Sequence, residues 1–196
     1  VRLILDWDGT VTEIDSLHMV LERFGDPDAY DAAERSLARG ATLHEVIAQE
    51  FASVTAPLEE VVAFVVAEVR VRPGFHELAE RFRPTIVSSG FHELIEPVLA
   101  REGVELEVLA NTLDPRPDGW RVRFRDKTTC AACGQACKRA LLGAPPIAYV
   151  GDGVSDQCAA LAADRVFARA GLARWLERRG VPFEPFGDLH DVAARL

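Results

Sequence analysis

Four short apolar runs stop abruptly on polar or small residues: Arg2–Asp6 (RLILD), Thr85–Ser89 (TIVSS), Ile147–Asp152 (IAYVGD) and Arg165–Ala168 (RVFA). Runs this short, flanked by Gly or polar residues and separated by stretches of helical period, read as parallel strands buried on both faces. The chain is therefore expected to be α/β, with a parallel sheet as its core. At 196 residues it is one domain, or one domain carrying a small inserted one. A chain of this length buries about 70% of its extended surface, so it needs neither disulfides nor a metal to fold.

An insertion is visible. Between Asp15 and Arg70 the strand pattern gives way to helical spacing. Leu17, Val20, Leu21 and Phe24 follow i, i+3, i+4, i+7, and Gly25 can close that helix. Asp26 and Pro27 form an N-cap and first-turn pair, with Gly40 as the stop. Thr42 and Glu45 make a capping box, and Thr55, Pro57, Glu59 and Glu60 open a fourth helix. Four helices without a strand predict a small helical bundle over residues 15–70, set into a core of residues 1–14 and 71–196. Pro73–Gly74 restarts the α/β pattern, with a helix over Phe75–Phe82. Another is expected over Phe91–Arg101, which Pro97 should kink. Leu106–Leu113 and Trp120–Phe124 flank a D-P-R-P-D-G loop and predict a hairpin. Helices at Leu172–Arg179 and from about Asp188 close the chain.

Charge narrows the partners. The net charge is −9 and the pI about 5.1, which disfavours nucleic acid and anionic membranes, since phosphate backbones select a basic face. The longest apolar stretch, Val61–Ala67, is far shorter than the ~20 residues that span a bilayer. No secretory leader is evident, and four cysteines without one favour the reducing cytoplasm.

The chemistry concentrates at strand ends, where the ligand crevice of an open α/β sheet lies. Asp6-Trp7-Asp8-Gly9-Thr10 closes the first strand. Residues i and i+2 of extended chain point the same way, so two carboxylates should crowd one side of the crevice. That is costly unless a cation lies between them, and a hard, oxygen-seeking ion such as Mg2+ is the natural one. Gly151-Asp152-Gly153-Val154-Ser155-Asp156 ends the IAYVG run and adds Asp152 as a third carboxylate, with Asp156 at the start of the next helix. Ser88, Ser89 and Gly90 end the TIVSS strand and offer a hydroxyl and backbone N–H groups to an anion. Lys138, one of only two lysines in the chain, is expected in a helix just before the IAYVGD strand and supplies a compact cation for a phosphoryl group.

The set D-W-D-G-T-V, S-S-G, a lone Lys and G-D-G-x-x-D, in this order, resembles the haloacid dehalogenase-like phosphohydrolases. The helical insertion is similar to the small cap of their phosphoserine phosphatase branch. The resemblance implies a Rossmann-like core beneath a mobile helical lid, and hydrolysis of a small phosphorylated metabolite. It implies Asp6 as the nucleophile that forms an aspartyl-phosphate, and Asp8 as the acid and then the base. Ser88 and Lys138 would bind the phosphoryl group, with Ser89 and Gly90 beside them. Mg2+ would be held by Asp6, the Asp8 main-chain carbonyl and Asp152, with Asp156 in support. Asp15 occupies the place where that branch sets an acidic residue facing the substrate amine; it equally suits an N-cap of the first lid helix. Ser16, His18, Arg35 and His44 are further polar lid residues that could face the crevice, each expected first as an exposed helix residue.

A finer resemblance comes from Cys130-x2-Cys133-Gly134-x2-Cys137-Lys138 and from the tail V-F-A-R-A-G-L-A-R-W-L with P-F-E-P-F-G-D-L. Both are similar to methionine-salvage phosphatases acting on 2-hydroxy-3-keto-5-methylthiopentenyl-1-phosphate, and the Cys loop also to phosphoethanolamine/phosphocholine phosphatases. The second motif departs from the first of these, S-S-G standing where S-G-G is usual. Cys130, Cys133 and Cys137 admit three states: reduced thiols, a disulfide, or a zinc site completed by Cys158 or His92. Two other classes compete. A phospho-accepting signalling module without turnover would lack the helical insertion and carry its phosphoacceptor on a later strand. A catalytically idle interaction protein would not need all four motifs.

Overall fold

The computed structural model describes residues 1–125 and 127–196. Among the described residues, seven strands form one sheet in the order β4-β3-β2-β1-β5-β6-β7, with β1 at Arg2–Leu5, β2 at Thr85–Phe91, β3 at Val108–Asp114 and β4 at Arg121–Arg123. The remaining strands are β5 at Ile147–Gly151, β6 at Arg165–Ala168 and β7 at Glu184–Pro185. Every pairing is parallel except β3 with β4, the expected hairpin. Sequence neighbours β1 and β2 lie side by side, and β5 flanks β1 on its other edge. The strand order thus reverses at β1, the position where an open α/β sheet parts its loops to form a crevice.

Register brings the motifs together. Leu5 pairs with Ile86 on one side and Val150 on the other. Asp6, Ser88 and Asp152 therefore leave the sheet at neighbouring points of one edge. Both faces of the sheet are dry. Leu3 and Leu5 enter one apolar cluster, while Ile4 points the other way into a second with Val87, Tyr149, Leu172 and Leu176. This two-sided burial is why the strands read as unbroken apolar runs.

Helices α1 (Ser16–Phe24), α2 (Pro27–Ala38), α3 (Leu43–Phe51) and α4 (Leu58–Glu68) follow β1 without an intervening strand. Their ends are set locally. Asp15 caps α1, Asp26 caps α2 with Pro27 in its first turn, and Thr42 with Glu45 forms a reciprocal capping box on α3. Thr12 and Val71 make an antiparallel bridge where the chain leaves and rejoins the core. The bundle packs tightly onto the sheet. Phe51 of α3 meets Phe91 of β2 edge-on at 4.7 Å between ring centres, and Trp120 Nε1 donates to the Ala56 carbonyl at 3.0 Å. Val20, Phe51, Val61 and Val65 share one apolar cluster with Leu5 and Ile86.

Helices α5 (Phe75–Phe82), α6 (His92–Arg101), α7 (Gln157–Ala160), α8 (Ala170–Arg178) and α9 (Leu189–Ala193) complete the fold. Helix α6 runs through Pro97 to Arg101, the end expected for it. In a helix this short the missing N–H costs one bond, to the Glu93 carbonyl. Lys138 opens a single 3-10 turn, Lys138–Leu141, rather than an α-helix. No helix among the described residues is long and apolar enough to cross a membrane.

Candidate active site

The loop after β1 carries the first pair of carboxylates. Asp8 is extended (φ −68°, ψ 125°) and Gly9 left-handed (φ 72°). The glycine is required twice over. An L side chain disfavours that φ, and a Cβ there would lie 2.5 Å from Asp152 Oδ2. The turn is held from outside by Arg72. Its guanidinium donates to the carbonyls of Gly9 (2.9 Å), Thr10 (2.9 Å), Thr12 (3.0 Å) and Glu13 (3.4 Å). Arg169 adds a further bond to the Gly9 carbonyl at 2.8 Å.

Lys138 lies at the centre, only 4% exposed. Its ammonium reaches Asp6 Oδ1 and donates to Asp156 Oδ1 at 2.7 Å. The Thr10 hydroxyl lies 3.3 Å from both Asp6 Oδ2 and Asp152 Oδ1. Carboxylate oxygens of Asp6, Asp152 and Asp156 fall within 4.8 Å of one another. Asp156 is fully buried and fully engaged. Its Oδ1 also accepts from the Tyr149 hydroxyl (2.7 Å), and its Oδ2 from the N–H groups of Asp152 and Gly153 (2.9 Å each). Both of its oxygens are thus already committed within the protein.

The expected crowding of Asp6 against Asp8 is replaced by a different grouping. The third carboxylate near Asp6 and Asp152 is Asp156, and the Asp8 carboxylate turns toward the start of α1. There the N–H of Ser16 (2.9 Å) and its hydroxyl both donate to Asp8 Oδ1. On the β2 side, a Cβ at Gly90 would stand 3.1 Å from both Asp8 Oδ2 and Ser88 Oγ. Ser88 is buried, and its Oγ accepts the Gly90 N–H at 2.8 Å. The Ser89 carbonyl accepts from Asn111 Nδ2 at 2.8 Å, which ties this strand end to β3.

The electrostatics follow from burial. Desolvation, then the charges of Asp156 and Asp152, push Asp6 well above the usual carboxylate range, while Lys138 opposes them. Asp152 rises to about 6 for the same reasons. Burial would raise Asp156 too, but Lys138 and its other donors hold it below its ordinary value. Burial works against the charge on Lys138, yet Asp156 and Asp6 keep it protonated beyond its usual range. One ammonium thus faces two buried carboxylates and the half-buried Asp152, a set that calls for a further cation. An all-oxygen donor set suits a hard ion such as Mg2+. Asp8 stands apart, raised to about 7 by burial and by Asp15, with Ser16 pulling the other way.

Asp15 caps α1, accepting from the His18 N–H at 2.9 Å, and its charge reaches Asp8 and Glu50. Ser16, expected to be exposed, is buried, because it closes on Asp8. His18 packs against Tyr30, Arg35 is exposed, and His44 stacks on Phe124 at 3.9 Å. Sequence reasoning missed Thr10, Arg72, Asn111, Tyr149 and Arg169. Thr10 stood inside the D-W-D-G-T motif, Tyr149 inside the IAYVGD run and Arg169 inside the V-F-A-R-A-G tail, whereas Arg72 and Asn111 lay in no motif. A cavity of about 470 Å³ is lined by Ser88, Ser89 and Lys138 from the sheet edge, by Leu43 and His44 from α3, and by the Cys loop.

The family model for haloacid dehalogenase-like hydrolases matches residues 3–161. The chain is 26% identical over 209 aligned positions to 2-hydroxy-3-keto-5-methylthiopentenyl-1-phosphate phosphatase of Bacillus thuringiensis (strain Al Hakam), covering all of this chain and 95% of that one. Among solved structures, a substrate-bound complex of phosphoserine phosphatase superposes with a TM-score of 0.77 at 16% identity, covering 100% of this chain and 98% of that one. A phospho-aspartyl intermediate analogue of phosphoserine phosphatase superposes at 0.74 and 18%, with the same coverage. At these identities the superpositions speak to the fold. The chain belongs to the haloacid dehalogenase-like hydrolase family, as a phosphatase.

Proposed function

We propose that this protein hydrolyses the phosphomonoester of a small metabolite with Mg2+, through an aspartyl-phosphate on Asp6. The observation that carries the reading is the convergence of Asp6, Lys138, Asp152 and Asp156 at one sheet edge, beside Ser88. Asp6 and Asp152, with the Asp8 carbonyl, would hold the ion, which when bound would offset the phosphoryl charge. Lys138 shields the Asp6 carboxylate from the incoming anion and, with Ser88 and the Ser89–Gly90 N–H groups, binds the phosphoryl oxygens.

In the first step Asp6 attacks phosphorus while the ester oxygen departs with a proton from Asp8. In the second, water attacks the acyl phosphate and gives its proton back to Asp8. A carboxyl near pH 7 is suited to both halves, and Asp8 is placed there by burial and Asp15. Helices over residues 15–70 act as the cap on a core of residues 1–14 and 71–196, excluding stray water.

For substrate, the full-length similarity to the methylthiopentenyl phosphate phosphatases and the Cys loop favour that class of phosphorylated metabolite. A second reading has its own observation. The charges of Asp15 and Glu34 bear on Glu50 of α3, and all three bear on Tyr30 of α2. That group suits the ammonium of phosphoserine or phosphoethanolamine. A parallel screen of 2-hydroxy-3-keto-5-methylthiopentenyl-1-phosphate, phosphoserine, phosphoethanolamine and phosphocholine separates them. The first reading expects the highest kcat/KM on the uncharged-tail phosphate. A clear preference for the amines, weakened by Glu50→Gln through KM, would support the second.

A further inference from the structure

We propose that Cys130, Cys133, Cys137 and Cys158 bind a structural zinc ion that fastens the Lys138 turn to α7. The four sulfur atoms lie within 4.8 Å of one another, although Cys158 comes from beyond β5. The Cys130 and Cys158 sulfurs are 3.8 Å apart. A Zn–S bond of about 2.3 Å in a tetrahedron requires an S···S edge of about 3.8 Å. Four thiolates leave no open position, the mark of a structural rather than a catalytic site.

The surroundings are those a thiolate needs. The Ala132 N–H donates to Cys130 Sγ at 3.4 Å, and the Arg139 N–H bonds to Cys137. The loop is preformed around the sulfurs. Cys130 N–H donates to the Gln135 carbonyl (2.9 Å), Gly134 N–H donates to the Cys130 carbonyl (2.8 Å), and Gly134 takes the left-handed turn after Cys133. His92, the other candidate fourth ligand, is engaged elsewhere, with Glu96 at 2.8 Å. Sulfur donors select a soft or borderline ion, whereas the carboxylates around Asp6 select a hard one, so the two sites do not compete for one metal.

Position gives the site its consequence. Cys137 directly precedes Lys138, and Cys158 lies two residues after Asp156. Zinc would anchor both halves of the Lys138–Asp156 ion pair through their chain neighbours, at the wall of the cavity that Ser88 and Lys138 share with the Cys loop. As it binds, each thiol gives up its proton.

Metal analysis of the full chain, purified under reducing conditions without chelator from medium holding both zinc and iron, tests this. About one zinc per chain is expected, released as an organomercurial titrates the four thiols. Zinc should be retained in Asp152→Asn and lost in Cys133→Ser, a substitution at an exposed residue that spares the core. Four freely reacting thiols with no zinc, a disulfide found by mass spectrometry, or iron in its place would each overturn the proposal. None of these readings depends on turnover, so failure here leaves the phosphatase reading standing.

Discussion

Ser16 directs its main-chain N–H and its hydroxyl at the same oxygen of Asp8. Both donors favour the carboxylate, against the burial and the Asp15 charge that raise it to about 7. If Asp8 protonates the leaving oxygen, activity falls as pH rises through that value. Ser16→Ala removes one donor to the charged form, so Asp8 should hold its proton to higher pH. The alkaline limb of kcat/KM is expected to move up by about half a unit or more. An unmoved limb would mean that Asp8 does not set it.

The two lysines should behave differently. Lys127 is exposed, and Lys138 is buried between Asp6 and Asp156. Lys138→Ala is expected to lower kcat by about 10²–10³. It also leaves two buried carboxylates without their cation, costing roughly 3 kcal/mol of stability. Lys127→Ala should change neither. Turnover and thermal melts of both variants check this, and the reverse ranking would move the phosphate site away from Lys138.

Arg72 acts on the reaction only through the loop that it holds. Arg72→Ala takes the guanidinium donors from the carbonyls of Thr10, Thr12 and Glu13, leaves that of Gly9 to Arg169 alone, and should cost about 3 kcal/mol. Arg72→Lys should recover little, because a single ammonium cannot reproduce the guanidinium fork. Thermal denaturation reads the loss, and hydrogen exchange at Gly9–Thr12 should rise with it.

These positions show what was legible in the sequence and what was not. Asp6, Ser88 and Asp152 end apolar runs, so the strands themselves announced them, and the β1–β2 and β1–β5 registers placed them side by side. The caps of α1–α3 were equally plain, because capping is local chemistry. Arg72 carried no such mark. It is one arginine among many, and its partners lie some sixty residues earlier. Ser16 looked like a solvent-facing residue at a helix start until the turn through Gly9 folded it onto Asp8. The grouping of Asp156 rather than Asp8 with Asp6 also escaped, since the period of an extended strand does not persist through a left-handed turn.

Glu50, on the cap, is only 7% exposed, and burial, Glu34 and Asp15 raise its carboxyl to about 7. In the unfolded chain it titrates near 4.3. Its contribution is therefore fully favourable below that value and is lost as pH rises through about 7. Glu50→Gln should raise stability at pH 8 by about 1 kcal/mol, after allowing for solvent at the carboxylate, and by less at pH 5. Melting curves at both pH values check the sign; a larger gain at pH 5 would contradict it.

Asp6 is proposed as the nucleophile of a Mg2+-dependent phosphatase. The direct test is hydrolysis of p-nitrophenyl phosphate by the wild-type chain and by Asp6→Asn, each with Mg2+ and with chelator. The wild type should turn over only with the ion, and Asp6→Asn should lose about 10³-fold or more under every condition. Equal turnover by folded Asp6→Asn would contradict the account.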